Sequence, residues 1–249
     1  MITANEVSEW AGRLGVAEQQ VRHDHLVSHL IAGLEGIEDL VFFGGTALSR
    51  TYLEDRRLSE DIDLYLDPHQ PPDQGEVLAQ LQQATQREFP GLDTERLRRV
   101  SDVTTYAVSY EGLAVVIDVV GARPEHRAYE VAGKAVTLRY SDLPSAARLL
   151  VPTIASFGAM KLGAYEDRHA ARDLFDLDAL VAIAGVTPTS LTILKRARGF
   201  GPVKHQYEDR YRPTDIEWRT QLDHQTGELG DPQEALDAVR SALIQLGAL

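Results

Sequence analysis

Asp61-Ile62-Asp63-Leu64 alternates acidic and apolar residues within an apolar run, a pattern that suits a strand with two unlike faces. Asp61 and Asp63 then share one face, with Cα atoms roughly 6–7 Å apart. Ile62 and Leu64 point to the opposite face and need a core there. Two carboxylates side by side repel each other unless a cation neutralises them. Shortly before them stands Phe43-Gly44-Gly45-Thr46, a tight turn whose backbone N–H groups and hydroxyl suit a phosphate. A phosphate turn beside a divalent-metal strand points to nucleotide chemistry.

With 249 residues the chain has room for one large domain or two modest ones. The longest apolar run, Leu113 to Val120, is interrupted by Asp118 and falls far short of the roughly 20 residues a membrane span needs. No basic and apolar signal segment opens the sequence, so the expected location is cytoplasmic. The absence of cysteine excludes disulfides, thiolate metal sites and cysteine nucleophiles. A net charge of −13 argues against broad coating of nucleic acid, while leaving room for a local basic groove.

The periodicities predict helices over about 4–14 (after the capping pattern Thr3–Glu6), 17–34 and 46–53, and strands over 39–43 and 62–66. Pro68-His69-Gln70-Pro71-Pro72 reads as a loop. A helix capped at Asp73 should follow, ending near Phe89-Pro90. Strands are expected near 104–110, 114–120 and 131–138. From Ser141 onward the character becomes helical, with helices over 153–165, 169–183, 189–197, 215–225 and 232–245. The fold class is therefore α+β. A mixed α/β domain over 1–145 would be followed by a helical C-terminal domain over 146–249.

Each candidate residue has a plain alternative. Asp61 and Asp63 would be a solvated pair at a strand end, were the strand not so apolar. Asp118, in Val115-Val116-Ile117-Asp118-Val119-Val120, needs a partner if buried, and Arg123 or Arg127 could supply it at a strand end. Gly44 and Gly45 suit any tight strand-to-helix turn, though a following helix favours anions. Arg50 and Arg57 are placed to meet a phosphate. Lys161, in Phe157-Gly158-Ala159-Met160-Lys161-Leu162-Gly163, is poorly explained as a solvated charge. His169–Asp173 and Arg172–Asp176 are i, i+4 pairs that would stabilise a helix. Of the eight histidines, His23, His25 and His29 include an i, i+4 pair, but without the intervening Glu of a zinc-hydrolase motif. They read as a polar helix face.

Gly44-Gly45-Thr46-Ala47-Leu48 and Arg57-Leu58-Ser59-Glu60-Asp61-Ile62-Asp63-Leu64 together resemble the polymerase-beta-like nucleotidyltransferases, and within them the AbiEii/AbiGii toxin family. Lys161-Leu162-Gly163-Ala164-Tyr165, Arg168 and Arg172-Asp173-Leu174-Phe175-Asp176-Leu177 extend the resemblance across about residues 41–180. It implies a polymerase-beta-like core, a mixed sheet flanked by helices, with the active site in a cleft against the helical domain. It further implies that Asp61, Asp63 and Asp118 hold Mg2+, and that Asp118 can act as general base. Gly44, Gly45, Thr46, Arg57, Ser59 and Lys161 would bind the nucleoside triphosphate. Asp173 would orient Lys161 or the substrate hydroxyl.

The family is the toxin half of bacterial toxin–antitoxin and phage-defence pairs. The implied reaction moves a nucleoside monophosphate from an NTP to an acceptor hydroxyl and releases pyrophosphate. The resemblance suggests the 3′ end of tRNA as acceptor, with translation inhibition as the result and a cognate antitoxin as protein partner. Lys195, Arg196, Arg198, Lys204, Arg210 and Arg212 form a local basic stretch, interleaved with Phe200, Tyr207 and Tyr211, that suits an RNA backbone and its bases. A solvated loop or an acidic partner would explain that stretch equally well. A small molecule or protein side chain as acceptor, or a catalytically idle binding module, are the other readings.

Overall fold

The computed structural model describes residues 2–54, 56–66 and 74–249. The Pro68–Pro72 loop and the Asp73 cap lie outside them. The described residues hold seven strands and nine α-helices. The chain divides into two compact units, Met1–Arg123 with Ala132–Val151, and Pro124–Val131 with Pro152–Leu249.

The strands are β1 (Leu40–Phe43), β2 (Asp61–Leu66), β3 (Asp93–Val100), β4 (Val103–Tyr110), β5 (Leu113–Val120), β6 (Val131–Thr137) and β7 (Ala146–Pro152). They form one mixed sheet in the order β3-β4-β5-β2-β1-β7-β6. β2 runs antiparallel to β1 but parallel to β5, and β1 runs parallel to β7. Ile62, Leu64, Val115, Ile117 and Val119 are fully buried on one face, which fixes the register of β2 and β5.

Helices α1 (Ala4–Leu14), α2 (Glu18–Ala32), α3 (Gly44–Ser49) and α4 (Gln74–Thr85) accompany the sheet. α2 packs on β2 and β5, α4 on α2, and α3 on β1 and β2. Thr3 caps α1 by accepting from the Glu6 amide, but the Glu6 carboxylate reaches across to Ser141, so the capping box is only half made. α3 begins two residues earlier than the sequence suggests and ends sooner, because Gly44 itself opens the helix.

Two strands depart from the sequence expectation. β3 is almost wholly exposed and carries Arg96, Arg98 and Arg99, so it offers no apolar alternation; it forms by pairing with β4, with a bulge between Arg96 and Arg98. β7 overturns the expectation that everything beyond Ser141 is helical. Its buried Leu149 and Val151 find a place beside β1, where Val41 pairs with Leu150. Long-range pairing, not local preference, makes both strands.

The helical unit contains α5 (Ile154–Arg168), α6 (Ala171–Ala182), α7 (Pro188–Arg198), α8 (Asp215–Leu222) and α9 (Pro232–Gln245). α5 packs on α6 and α7, and α6 on α8 and α9, around Phe157, Leu174, Phe175, Ile193, Trp218 and Leu236. No helix among the described residues is long and apolar enough to cross a membrane.

Asp24, fully buried on α2, fastens the sheet unit together. It accepts from Arg50 Nη2 at 2.7 Å, Arg139 Nη1 at 3.3 Å and the Tyr140 hydroxyl at 2.7 Å. Arg50 is fully buried there and also donates to the Thr137 carbonyl, so it cannot serve the phosphate role the sequence offered it. Asp24→Ala would leave two buried guanidinium groups without their shared anion, and urea denaturation should register a loss of about 3–5 kcal/mol. Burial alone would raise the Asp24 carboxyl, but Arg50 and Arg139 hold it below its ordinary 3.8. A depressed carboxylate stabilises above its unfolded value, so this contribution should fade as pH falls from 3.8 through the folded value. In Asp24→Ala that acid-side component should be missing.

Candidate active site

The parallel register sets Asp63 directly beside Asp118, with Asp61 two residues earlier on the same face. All three are half-buried, while their neighbours Ile62, Leu64, Ile117 and Val119 face the core. The row continues across the sheet: Thr105 on β4 pairs with Asp118, and Arg98 on β3 pairs with Thr105. Thr105 Oγ1 donates to Asp118 Oδ1 at 2.6 Å and accepts from Arg98 Nε at 3.2 Å. Asp118 is therefore held by Thr105, whereas Arg123, its candidate partner at a strand end, pairs with Asp102. Thr105 was invisible as a site residue in the sequence because only strand register brings it to Asp118.

The glycine turn presses against this face. Gly44 has φ 77°, and a Cβ there would stand 1.9 Å from Asp63 Oδ2. Both the backbone conformation and the carboxylate exclude a side chain. A Cβ at Gly45 would meet the Arg57 guanidinium at 2.7 Å and the Ser59 hydroxyl at 3.5 Å. Arg57 and Ser59 are both buried, and Arg57 Nη1 donates to the Leu58 carbonyl. Thr46 is buried too; its hydroxyl donates to the Asp61 main-chain carbonyl and ties the turn to β2. Gly44, Gly45, Thr46, Arg57, Ser59, Asp61, Asp63 and Asp118 thus come together in one unit.

Lys161 and Asp173 form a second cluster in the helical unit. Lys161 Nζ lies 3.0 Å from Asp173 Oδ1 and 2.7 Å from Asp176 Oδ2, and Arg168 Nε lies 2.6 Å from Asp173 Oδ2. Burial would raise Asp173, but Lys161 and Arg168 outweigh it and keep the carboxyl below its ordinary range. Asp176, legible in the sequence only as a helix-stabilising residue, is a direct partner of the lysine. The His169–Asp173 helical pair does not form: His169 ends α5 in a left-handed conformation and stacks on Tyr211.

The basic stretch is partly neutralised. Arg198 pairs with Glu166 and Asp167, Arg210 with Glu208, and Arg212 with Asp215. Lys195, Arg196, Lys204 and Phe200 are exposed, but Tyr207 is buried and offers no ring to a base.

His25 and His29 of α2 are not a polar outer face, whereas His23 is half-buried and donates to the Ala114 carbonyl. His25 and His29 are buried and meet Asp142 and Glu88. Among the described residues, the ligand atoms that already stand within 4.8 Å of one another are those of this group, not those of Asp61, Asp63 and Asp118. Burial and the neighbouring His25 hold His29 below the usual imidazole range. Helical spacing paired the two histidines; nothing in the sequence signalled their carboxylate partners.

A mixed sheet bearing these acids, followed by C-terminal helices, has the fold of a nucleotidyltransferase, and this chain is an enzyme of that class. The model of the family described as "Nucleotidyl transferase AbiEii toxin, Type IV TA system" matches residues 28–243, and the chain belongs to that family. Among solved structures it is similar to MenT4, a nucleotidyltransferase toxin from Mycobacterium tuberculosis H37Rv, with 21% identity and a TM-score of 0.70, covering 100% of this chain and 91% of that one. It is also similar to JHP933 from Helicobacter pylori, at 19% identity and a TM-score of 0.63, covering 93% of each chain. At these identities the likeness concerns the fold. No curated protein matches the chain.

Gly44→Ala isolates the close approach. Strain at a positive φ and displacement of Asp63 should cost about 1–3 kcal/mol in thermal or urea denaturation. Nucleotidyl transfer, followed by label from an NTP, should fall further than the residual folded fraction explains.

Proposed function

We propose that this enzyme transfers a nucleoside monophosphate from an NTP to an acceptor hydroxyl in a magnesium-dependent reaction, with the 3′ end of tRNA as acceptor and blocked translation as the consequence. The observation that carries the reading is the register of β2 and β5, which aligns Asp63 with Asp118 and leaves Asp61 on the same face. These are oxygen donors only, a set that suits magnesium together with the phosphate oxygens of a nucleotide. Magnesium, when bound, supplies positive charge that stabilises the leaving pyrophosphate and favours an ionised acceptor hydroxyl.

The residues of this chain divide the remaining work. The Gly44-Gly45 turn lies against Asp63 with no side chain in the way, so its backbone can approach a phosphate closely. Arg57, whose guanidinium lies against Gly45 with Ser59 beside it, would supply the positive charge for a phosphate there. Thr46 holds the turn on β2 through the Asp61 carbonyl. Asp118 accepts one bond from Thr105, which orients a carboxylate able to take the acceptor proton. The acceptor oxygen then bonds to the α-phosphorus as the bond to the bridging oxygen breaks. Lys161, held between Asp173 and Asp176, contributes to binding of the triphosphate. A separately encoded antitoxin is the expected protein partner, and the expected location is the cytoplasm.

Ion pairing of Arg198, Arg210 and Arg212, and burial of Tyr207, favour a second acceptor class, a small-molecule or protein hydroxyl. Incubation with total tRNA, magnesium and each labelled NTP in turn separates the two. Label in RNA, abolished by Asp63→Ala and by chelation, is the expected outcome; label in protein or in a small molecule would establish the second reading. No transfer to any acceptor would leave a binding module. Lys161→Ala should weaken NTP binding as well as turnover; if both survive in a folded variant, the lysine has no such role.

A further inference from the structure

We propose that His25, His29, Glu88 and Asp142 form a divalent transition-metal site of the zinc class, separate from the carboxylates of β2 and β5 and structural in purpose. His25 and His29 lie one turn apart on α2, and both are buried. Their Nε2 atoms face each other at 3.1 Å. His25 Nε2 also stands 3.1 Å and 3.0 Å from the two Asp142 oxygens, and His29 Nε2 stands 3.3 Å from Asp142 Oδ2. Glu88 brings the fourth ligand atom within the same 4.8 Å.

Every way of hydrogen bonding this arrangement leaves at least one like-against-like contact. An imidazole nitrogen carries either one proton or one lone pair. If both Nε2 atoms are protonated toward Asp142, two N–H groups oppose each other at 3.1 Å. If only one is protonated, its proton is shared in a three-centre bond and the other ring's lone pair is left facing an Asp142 oxygen, 3.0–3.3 Å away. If neither is, two lone pairs and an anion converge with nothing between them. A cation at the centre resolves all three conflicts, because each group then directs a lone pair inward.

The distances and the donor set select the ion. Zinc bonds of about 2.0–2.2 Å place the ligand atoms of a tetrahedron roughly 3.3–3.6 Å apart. Among the two histidines and Asp142 the separations of 3.0–3.3 Å lie at that edge or slightly inside it, and the Glu88 oxygen, within 4.8 Å, would close in on binding. Two imidazole nitrogens with two carboxylate oxygens suit zinc, whereas magnesium and calcium prefer oxygen throughout. The rings are bedded in aromatic carbon: Phe89 packs against both, at 5.7 Å and 5.1 Å, and Tyr140 against His25 at 5.0 Å. The ligands come from α2, the turn after α4 and the segment after β6, so the metal would staple three distant parts of the sheet unit.

Equilibrium dialysis of the full chain against Zn2+, followed by elemental analysis, tests the site. One tightly held zinc per chain is expected, lost in His29→Gln and in Asp142→Asn but retained in Asp63→Ala. The melting temperature of the unaltered chain should rise with added zinc. No bound zinc in the unaltered chain, full retention in both ligand variants, or loss confined to Asp63→Ala would each overturn the proposal. Should the ligand variants fail to fold, Co2+ titration of the unaltered chain decides. Intense visible bands of a tetrahedral nitrogen–oxygen site support the assignment, and their absence overturns it.

Discussion

The parallel pairing of β2 with β5 places like charges together, and the rest of the sheet unit is arranged to sustain it. Near a protein surface two carboxylates about 4 Å apart repel by about 4 kcal/mol. On the other face Ile62, Leu64, Val115, Ile117 and Val119 are fully buried. Each contributes about 1.5–3 kcal/mol. A slip of one residue would send these side chains to the acidic face and the acids into the core, so the register that concentrates negative charge is also the one the core enforces.

The turn before α3 meets the same constraint from the side. Because Gly44 lies against Asp63, neither can move without the other. The helix it opens ends at Arg50, which is locked to Asp24 on α2. Arg139 completes that network from a backbone with φ 73°, a conformation costing about 1–3 kcal/mol for a non-glycine residue. Its bonds to Asp24 and to the Ser49 carbonyl offset the strain. A buried polar cluster thus braces the element that carries the glycine turn.

The helical unit uses charge differently. Lys161 between Asp173 and Asp176 is a buried set, and Arg168, itself exposed, reaches in to Asp173 and brings the charges into balance. Such a set fixes the lysine in place more than it adds stability. The neighbouring basic stretch is likewise partly drawn into local ion pairs, although Arg210 stays exposed beside Glu208, as do Lys195, Arg196 and Lys204. A run of positive residues in sequence is therefore a poor measure of positive surface.

Local pattern alone determined the Asp-x-Asp strand, the glycine turn and most helices, because alternation, helical periodicity and a φ suited to glycine are encoded within a few residues; the family came from motif resemblance over about residues 41–180 and from the family match over residues 28–243. It assigned Asp61 and Asp63 to one face before any neighbour was known. Strand order lay beyond it: β3 forms as a partner of β4, and β7 as a partner of β1 and β6. For the same reason Thr105 reached Asp118, and His25 and His29 reached Asp142 and Glu88, only in the folded chain. Arg50 shows the converse, a residue whose position suggested phosphate and whose buried partner Asp24 claimed it. Contacts between residues far apart in the chain depend on packing and register, and those were decided by the tertiary structure.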